Sequence, residues 1–147
     1  MDGLEIRELS VYEDRRGWLA EIIREDESEI RPAMCYLSMT KPGLARGPHE
    51  HKEQTDYFCF IGKFRLYFWD NRKTSATYRE SRIIETNDIP TAAVVPPGIV
   101  HAYKNIDKRE GIVINLPDRL FMGRGKAEPV DEVRYENDPS SPFRIEE

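Results

Sequence analysis

Short β-leaning runs alternate with turn residues from one end of the chain to the other, and this spacing is what most constrains the fold. Leu4 to Leu9 and Trp18 to Ile23 read as strands around the turn Glu13-Asp14-Arg15-Arg16-Gly17, where the glycine permits a positive φ. Pro32 precedes a β-leaning segment, Met34 to Met39, that closes at Lys41-Pro42-Gly43, and a strand through Arg46 to His51 follows. Thr55 to Ile61 and Lys63 to Trp69 flank Gly62. In the second run Phe64, Leu66 and Phe68 alternate with Lys63, Arg65, Tyr67 and Trp69, so the pair reads as two antiparallel strands joined by a tight turn. A polar loop from Asp70 to Ser75, a strand from Thr77 to Glu85 and a turn at Asp88 to Pro90 come next. Ala92 to Val95 and Val100 to Asn105 bracket the Pro96-Pro97-Gly98 corner, and Gly111 to Asn115 is a β-branched run suited to a buried strand. Asp118 to Glu128 has no sustained 3.6-residue period and has room for one short helical turn. The series predicts an all-β sandwich or barrel with little helix.

With 147 residues, no internal repeat and no break in composition, residues 1–147 are expected to form a single domain. The formal charge of -5 comes from 22 basic and 27 acidic residues spread along the sequence, which leaves no basic stripe for a phosphate backbone and argues against nucleic acid as a partner. Cys35 and Cys59 make no disulfide framework, so a reduced, cytoplasmic setting is expected, with both thiols as small buried hydrophobes. Met1 to Arg7 mixes charges among its apolar residues and lacks the run a signal peptide needs. The longest uncharged stretch, Ile89 to Tyr103, holds three prolines and a glycine and is too short for a bilayer, so no membrane span is expected.

The three histidines of the chain fall in two segments, Arg46-Gly47-Pro48-His49-Glu50-His51 and Pro96-Pro97-Gly98-Ile99-Val100-His101-Ala102-Tyr103-Lys104-Asn105. Residues two apart in an extended strand share a face, so His49 and His51 point one way and Glu50 the other. Imidazole nitrogens with a carboxylate suit divalent zinc, iron, manganese or nickel, and Asp56 would complete a set of His49, His51 and His101. The same histidines could instead be hydrogen-bonded pocket residues with no metal.

The two segments resemble the two motifs of the cupin superfamily. Pro96, Gly98, His101 and Asn105 satisfy Pro-x-Gly-x-x-His-x-x-x-Asn, and Gly43, His49, His51 and Gly62 fit the first motif, with Thr55 or Asp56 where a glutamate is expected. The resemblance implies a cupin jelly roll, a fold in which these positions can bind a metal inside the barrel.

Over nearly the whole chain the sequence is similar to the sugar-nucleotide 3,5-epimerases, the family of dTDP-4-dehydrorhamnose 3,5-epimerase, metal-free members of that superfamily. The pieces are Asp14-x-Arg16-Gly17-x-Leu19-x-Glu21, Arg46-Gly47-Pro48-His49, Asp70-x-Arg72-x-x-Ser75-x-Thr77, Pro97-Gly98-Ile99-Val100-His101 and Asn137-Asp138-Pro139. What this resemblance implies is proton removal next to a 4-keto group by His49, with a carboxylate behind it, for which Asp138 is the candidate. An imidazole with a reference pKa near 6.5 suits that abstraction at neutral pH. The resemblance further implies that Arg16, Glu21 and Arg46 hold the nucleotide's base and phosphates. Three departures stand out. The family's enolate-stabilising lysine falls at Thr55, its tyrosine acid falls near Leu120-Phe121, and its base-contacting polar residues fall near Met34 and Tyr36. Tyr103, two residues from His101, is the phenol nearest in sequence to the histidines, and His101 joins it as a catalytic candidate.

The leading expectation is therefore a cytoplasmic, homodimeric isomerase acting on a nucleotide-activated 4-keto-6-deoxy sugar without a cofactor, its dimer made through Leu4 to Leu9. The alternatives are a metal-dependent cupin enzyme, in which the metal takes over from the missing lysine, and a sugar-binding cupin without catalysis.

Overall fold

A computed structural model describes residues 1–145 and places two antiparallel five-stranded sheets face to face, the jelly roll anticipated for a cupin. The strands are β1 (Glu5–Glu8), β2 (Val11–Asp14), β3 (Gly17–Ala20), β4 (Tyr36–Thr40), β5 (Ala45–Glu50), β6 (Asp56–Ile61), β7 (Phe64–Asp70), β8 (Ser81–Glu85), β9 (Thr91–Val95), β10 (Ile99–Asn105), β11 (Gly111–Asn115) and β12 (Val133–Arg134). One sheet runs β1-β9-β6-β11-β4 and the other β12-β5-β10-β7-β8, while β2 and β3 form a ribbon of their own. Among the described residues the single helical element is a 3₁₀ turn, Arg124–Lys126, inside the stretch expected to hold one. Among the described residues no helix is long and apolar enough to cross a membrane.

The core lies between the sheets. Phe64, Leu66 and Phe68 of β7 point inward as their alternation predicts, and meet Phe58 and Phe60 of β6, Ile99 and Tyr103 of β10 and Val113 of β11. Fully burying one such side chain is worth about 1.5–3 kcal/mol. A second cluster, Leu9, Tyr57, Cys59 and Ala92, lies under Ile22, Ile23 and Ile30, so β6 is covered on both faces. Cys59 is buried there as expected, whereas Cys35, also expected inside, is exposed just before β4; both are free thiols.

Two expectations about pairing are overturned. β6 and β7 are not a hairpin: β6 pairs with β9 and β11, β7 with β10 and β8. Gly62, at φ 120°, turns the chain from one sheet to the other, and Phe60 and Phe64 meet across the gap at a ring separation of 5.3 Å. An inward-facing aromatic on each side of a positive-φ glycine reads the same for a hairpin and for a corner. Nor does the turn at Arg15-Arg16 join the first two expected strands. It closes β2 on β3, while β1 pairs with β9.

The loop after β7 is held by one carboxylate. Asp70, with its side chain fully buried, accepts hydrogen bonds from Arg72 Nη2 (2.7 Å), Ser75 Oγ (2.7 Å) and Thr77 Oγ1 (2.5 Å). The Arg72 guanidinium, helped by the two hydroxyls, keeps this carboxyl well below the usual carboxylate range against the cost of burial. Because the folded pKa is depressed, the stabilisation is complete above the unfolded value near 3.9 and disappears as pH falls through the folded value. Asp70→Ala is expected to lower unfolding free energy by about 3–5 kcal/mol in urea titrations at pH 7, since it orphans a partly buried guanidinium.

Candidate active site

One bulge sets the site's geometry. Opposite β10, Arg46 is the partner of Tyr103 and His49 the partner of His101, so Gly47 and Pro48, joined by a cis peptide bond, together oppose Ala102. Residues three apart would ordinarily face opposite sides of a sheet. The extra residue resets the alternation, and Arg46 and His49 both line the same pocket. Gly47 sits at φ 81°, and a Cβ there would lie 2.6 Å from the His101 carbonyl oxygen, so no other residue fits the bulge.

The pocket is an open cleft of about 1420 Å³ lined from both sheets, with His49 and His51 in its wall. His51 follows the end of β5, His101 is on the neighbouring β10, and Asp56 opens β6 in the other sheet. One ligand atom from each of these four side chains lies within 4.8 Å of all the others. Glu50, facing away as predicted, accepts a hydrogen bond from Tyr135 Oη at 2.5 Å.

The hydrogen bonds around the cluster assign its tautomers. His51 Nδ1 is bonded to the Asp131 carbonyl, and His101 Nδ1 to the Ile99 carbonyl at 3.1 Å. A carbonyl only accepts, so both Nδ1 atoms carry hydrogen and both Nε2 lone pairs turn toward Asp56. Asp56 Oδ1 is satisfied by Gln54 Nε2 and Asn115 Nδ2, each at 2.8 Å. Its Oδ2 faces His51 Nε2 at 3.1 Å and His101 Nε2 at 3.4 Å, and Oδ2 and His101 Nε2 have no conventional donor. His51 Nε2 also has Gln54 Nε2 at 3.3 Å, so Asp56 Oδ2 and His101 Nε2 are the two buried acceptors left facing each other without a donor, a pair that a cation between them would satisfy.

A proton or a divalent metal can fill that place. Burial disfavours charge on His51, but Asp56 and the Asp131 carbonyl outweigh it and push the pKa up to about 9; the two histidines in turn keep Asp56 ionised despite its burial. A tetrahedral ion with ligands at about 2.0–2.1 Å holds them about 3.3 Å apart, which the 3.1 and 3.4 Å separations match. Locking each Nδ1–H on a backbone carbonyl is also how protein metal ligands are oriented.

His49 differs. Among the described residues no backbone carbonyl fixes its ring, and its Nδ1 stands 3.9 Å from Glu132 Oε1. Burial, then the neighbouring charges of His101 and His51, bring its pKa down to about 2, so the ring is neutral at working pH.

The other sequence candidates divide. Arg46 lines the pocket with its guanidinium on the Met39 carbonyl at 3.1 Å, and Tyr103 lines it with Oη 3.5 Å from Ser38 Oγ. Asp138 does not stand behind His49: it sits in an exposed turn, accepting bonds from the Ser140 amide (2.8 Å) and hydroxyl (2.6 Å), the capping role its Asn-Asp-Pro context favours. Arg16 and Glu21 are not in the pocket wall of their own chain. Arg16 pairs with Asp14 at 2.5 Å and Glu21 with Arg24 at 3.3 Å on and beside the β2–β3 ribbon. Two further acidic residues meet the histidines and carry no motif: Asp131 through its backbone carbonyl on His51 Nδ1, and Glu132 through its carboxylate 3.9 Å from His49 Nδ1. They arrive because the chain after the 3₁₀ turn comes back to pair β12 with β5, opposing Arg134 to His49. Asp131 also accepts three backbone N–H groups at 2.9 Å, from Lys52, Glu53 and Gln54, and so clamps the turn that carries His51.

Residues 12–125 match the family described as polysaccharide biosynthesis C-terminal domain. A probable low-salt glycan biosynthesis epimerase of Haloferax volcanii is 37% identical over 123 residues, 80% of this chain and 79% of the relative. The chain belongs to the polysaccharide biosynthesis C-terminal domain family. This chain shares its fold with sugar-nucleotide epimerases and isomerases of known structure. A dTDP sugar isomerase from Desulfovibrio desulfuricans superimposes with a TM-score of 0.83 at 19% identity, covering 97% of this chain and 90% of the other. A dTDP-4-dehydrorhamnose 3,5-epimerase from Sulfolobus tokodaii superimposes with a TM-score of 0.71 at 23% identity, covering 80% and 70%. The jelly roll and the kinship read from the sequence motifs are both borne out.

Proposed function

We propose that this protein is an isomerase that epimerises a nucleotide-activated 4-keto-6-deoxy sugar, with His49 removing the proton next to the ketone. The observation that carries the reading is the asymmetry of the three histidines: His51 and His101 are each locked by a backbone carbonyl, whereas His49 is neutral, pocket-facing and bonded to no carbonyl among the described residues. The names of its relatives supply the reaction class, since one is a glycan biosynthesis epimerase and a structural neighbour is a dTDP sugar isomerase.

His49 takes the proton as a general base, and Glu132, 3.9 Å from Nδ1, offsets the positive charge the ring then acquires. Glu132 is itself held by Arg134 Nε at 2.6 Å, so it replaces Asp138 as the supporting carboxylate. His51, Asp56 and His101 would hold a divalent cation, with His49 able to complete the set. Such a cation would supply Lewis-acid polarisation of the ketone oxygen, the task left open where Thr55 replaces a lysine. Arg46 and Arg119 on the pocket wall suit a diphosphate.

The test is deuterium wash-in: incubation in D₂O with dTDP-, UDP- and GDP-linked 4-keto-6-deoxyhexoses is expected to place deuterium on the carbon next to the ketone of at least one. Absence of exchange from all three would remove the reading in favour of a binding protein or a metal-dependent cupin of another reaction.

The protein is further proposed to be a cytoplasmic homodimer. β1 is already paired with β9, whereas the β2–β3 ribbon presents Tyr12, Trp18 and Leu19 to solvent and the edge strand β4 presents Leu37. Docking the ribbon on a second copy would cover these side chains and bring Arg16 and Glu21 near that copy's pocket. Trp18→Glu is expected to convert a dimer in sedimentation velocity to a monomer; a monomeric wild type would contradict the assembly.

A further inference from the structure

We propose that Tyr36 is the proton donor for the substrate face opposite His49. The inference rests on the epimerase reading and names the acid that reading lacks. Inversion at a carbon next to a ketone needs a base on one side and a donor on the other, so the donor must come from the wall of the pocket facing His49. His49 projects from β5 in one sheet and Tyr36 from β4 in the other, and both line the cleft.

The hydrogen bonds around Tyr36 leave its proton free for this. Tyr36 and Asn115 are direct partners across β4 and β11, and Asn115 Nδ2 lies 3.0 Å from Tyr36 Oη and 2.8 Å from Asp56 Oδ1. Asp56 is ionised and can only accept, so it is the amide nitrogen of Asn115 that faces it. That nitrogen has two hydrogens, one for the carboxylate and one for the phenol oxygen. Tyr36 Oη is therefore an acceptor toward Asn115, and its own O–H is not consumed by that contact. The residue is 45% exposed, which lets solvent return a proton after each turnover. Burial of the phenol within the pocket raises its pKa, so the O–H form is the one present at neutral pH.

Tyr103, the phenol favoured by sequence position, is the poorer candidate, because its Oη meets Ser38 Oγ at 3.5 Å, a contact in which either hydroxyl can donate. It belongs to β10, the neighbour of β5, and its ring is packed among Phe58, Phe60 and Phe64 with 6% of the residue exposed.

The step balances. The electron pair of the broken C–H bond moves into the enolate as His49 takes the proton. The enolate carbon then takes hydrogen from Tyr36 O–H on the opposite face, leaving a phenolate and an imidazolium that exchange with water. One proton leaves the sugar, one enters, and the configuration is inverted.

Two readouts of one reaction separate the roles. In Tyr36→Phe, exchange of solvent deuterium with retained configuration should stay within about threefold of wild type, because His49 can return a proton to its own face, while inverted product should form at least about 100-fold more slowly. Inversion by Tyr36→Phe within threefold of wild type would overturn the assignment. So would joint loss of exchange and inversion in a variant whose thermal midpoint and dTDP affinity are unchanged, because Tyr36 would then act before proton removal. A wild type that exchanges no deuterium with any 4-keto sugar nucleotide would instead remove the epimerase reading itself, a result visible before any variant is made.

Discussion

Treatment with a strong chelator is expected to lower the thermal midpoint of this protein by about 10 °C and to abolish deuterium exchange, with both restored by zinc or manganese. The basis is the convergence of His51 Nε2, His101 Nε2 and Asp56 Oδ2 with separations of 3.1 and 3.4 Å, two of the three atoms lacking a donor. A ligand present at about 1,000 times its Kd stabilises the folded state by about 4 kcal/mol, and for a chain of this size each kcal/mol moves the midpoint by about 2–4 °C. The His51 pKa of about 9 adds a second signature: below that pH the metal must displace a proton from Nε2. Binding at pH 7.5 should therefore release about one proton, and affinity should fall about tenfold for each unit of acidification. Titration calorimetry in buffers of different ionisation enthalpy measures the release directly. Untagged protein with less than about 0.1 equivalent of transition metal and a chelator-insensitive midpoint would sink the metal site; a bound structural metal typically contributes far more than such a null result allows.

Most of the strands were legible in the sequence because their signals are local. The alternation of Phe64, Leu66 and Phe68, the β-branched run at Gly111 to Asn115 and the glycine and proline corners each mark an element without reference to the rest of the chain. The choice of sheet for each strand is a different kind of information. Gly62 at positive φ serves a hairpin or a corner equally well, and only the burial of β6 on both faces, through Leu9 and the residues after β3, decides between them. That burial depends on contacts more than 30 residues away, as between Tyr57 Oη and the Ile22 carbonyl (2.6 Å), which no short pattern encodes.

The site divides along the same line. His49, His51 and His101 were legible from motif spacing and from the period of a strand, and Asp56 from its place after them. Asp131 and Glu132 were not, because the segment that carries them has neither periodicity nor motif and takes its position from pairing with β5. Asn115 was not legible as a site residue: it closes the β-branched run Gly111 to Asn115, and only the fold brings its amide nitrogen to Asp56 and Tyr36. Arg16 and Glu21 lie on and beside a ribbon that stands apart from the pocket of their own chain, a placement that depends on the fold and that no motif states.

His49→Ala is expected to lower kcat by about 10³–10⁴ with little change in substrate affinity, the loss a general base ordinarily commands. Single-turnover exchange in D₂O separates this from a metal effect, because a variant that retains His51, Asp56 and His101 should keep its metal, whereas His51→Ala should lose metal and activity together. Glu132→Gln should cost about tenfold, since a carboxylate 3.9 Å from Nδ1 acts through charge across a gap too long for a hydrogen bond. The pH profile carries the sharper prediction. Burial, then the charges of His101 and His51, hold the His49 pKa near 2, so kcat should show no inflection around 6.5, where an unperturbed histidine base would titrate. An acid limb centred on 6.5 that vanishes in His49→Ala would mean that substrate binding rebuilds the electrostatics of the site. A His49→Ala variant that exchanges deuterium at the wild-type rate would move the base elsewhere, and Glu132, the pocket carboxylate beside it, would be the group to replace next.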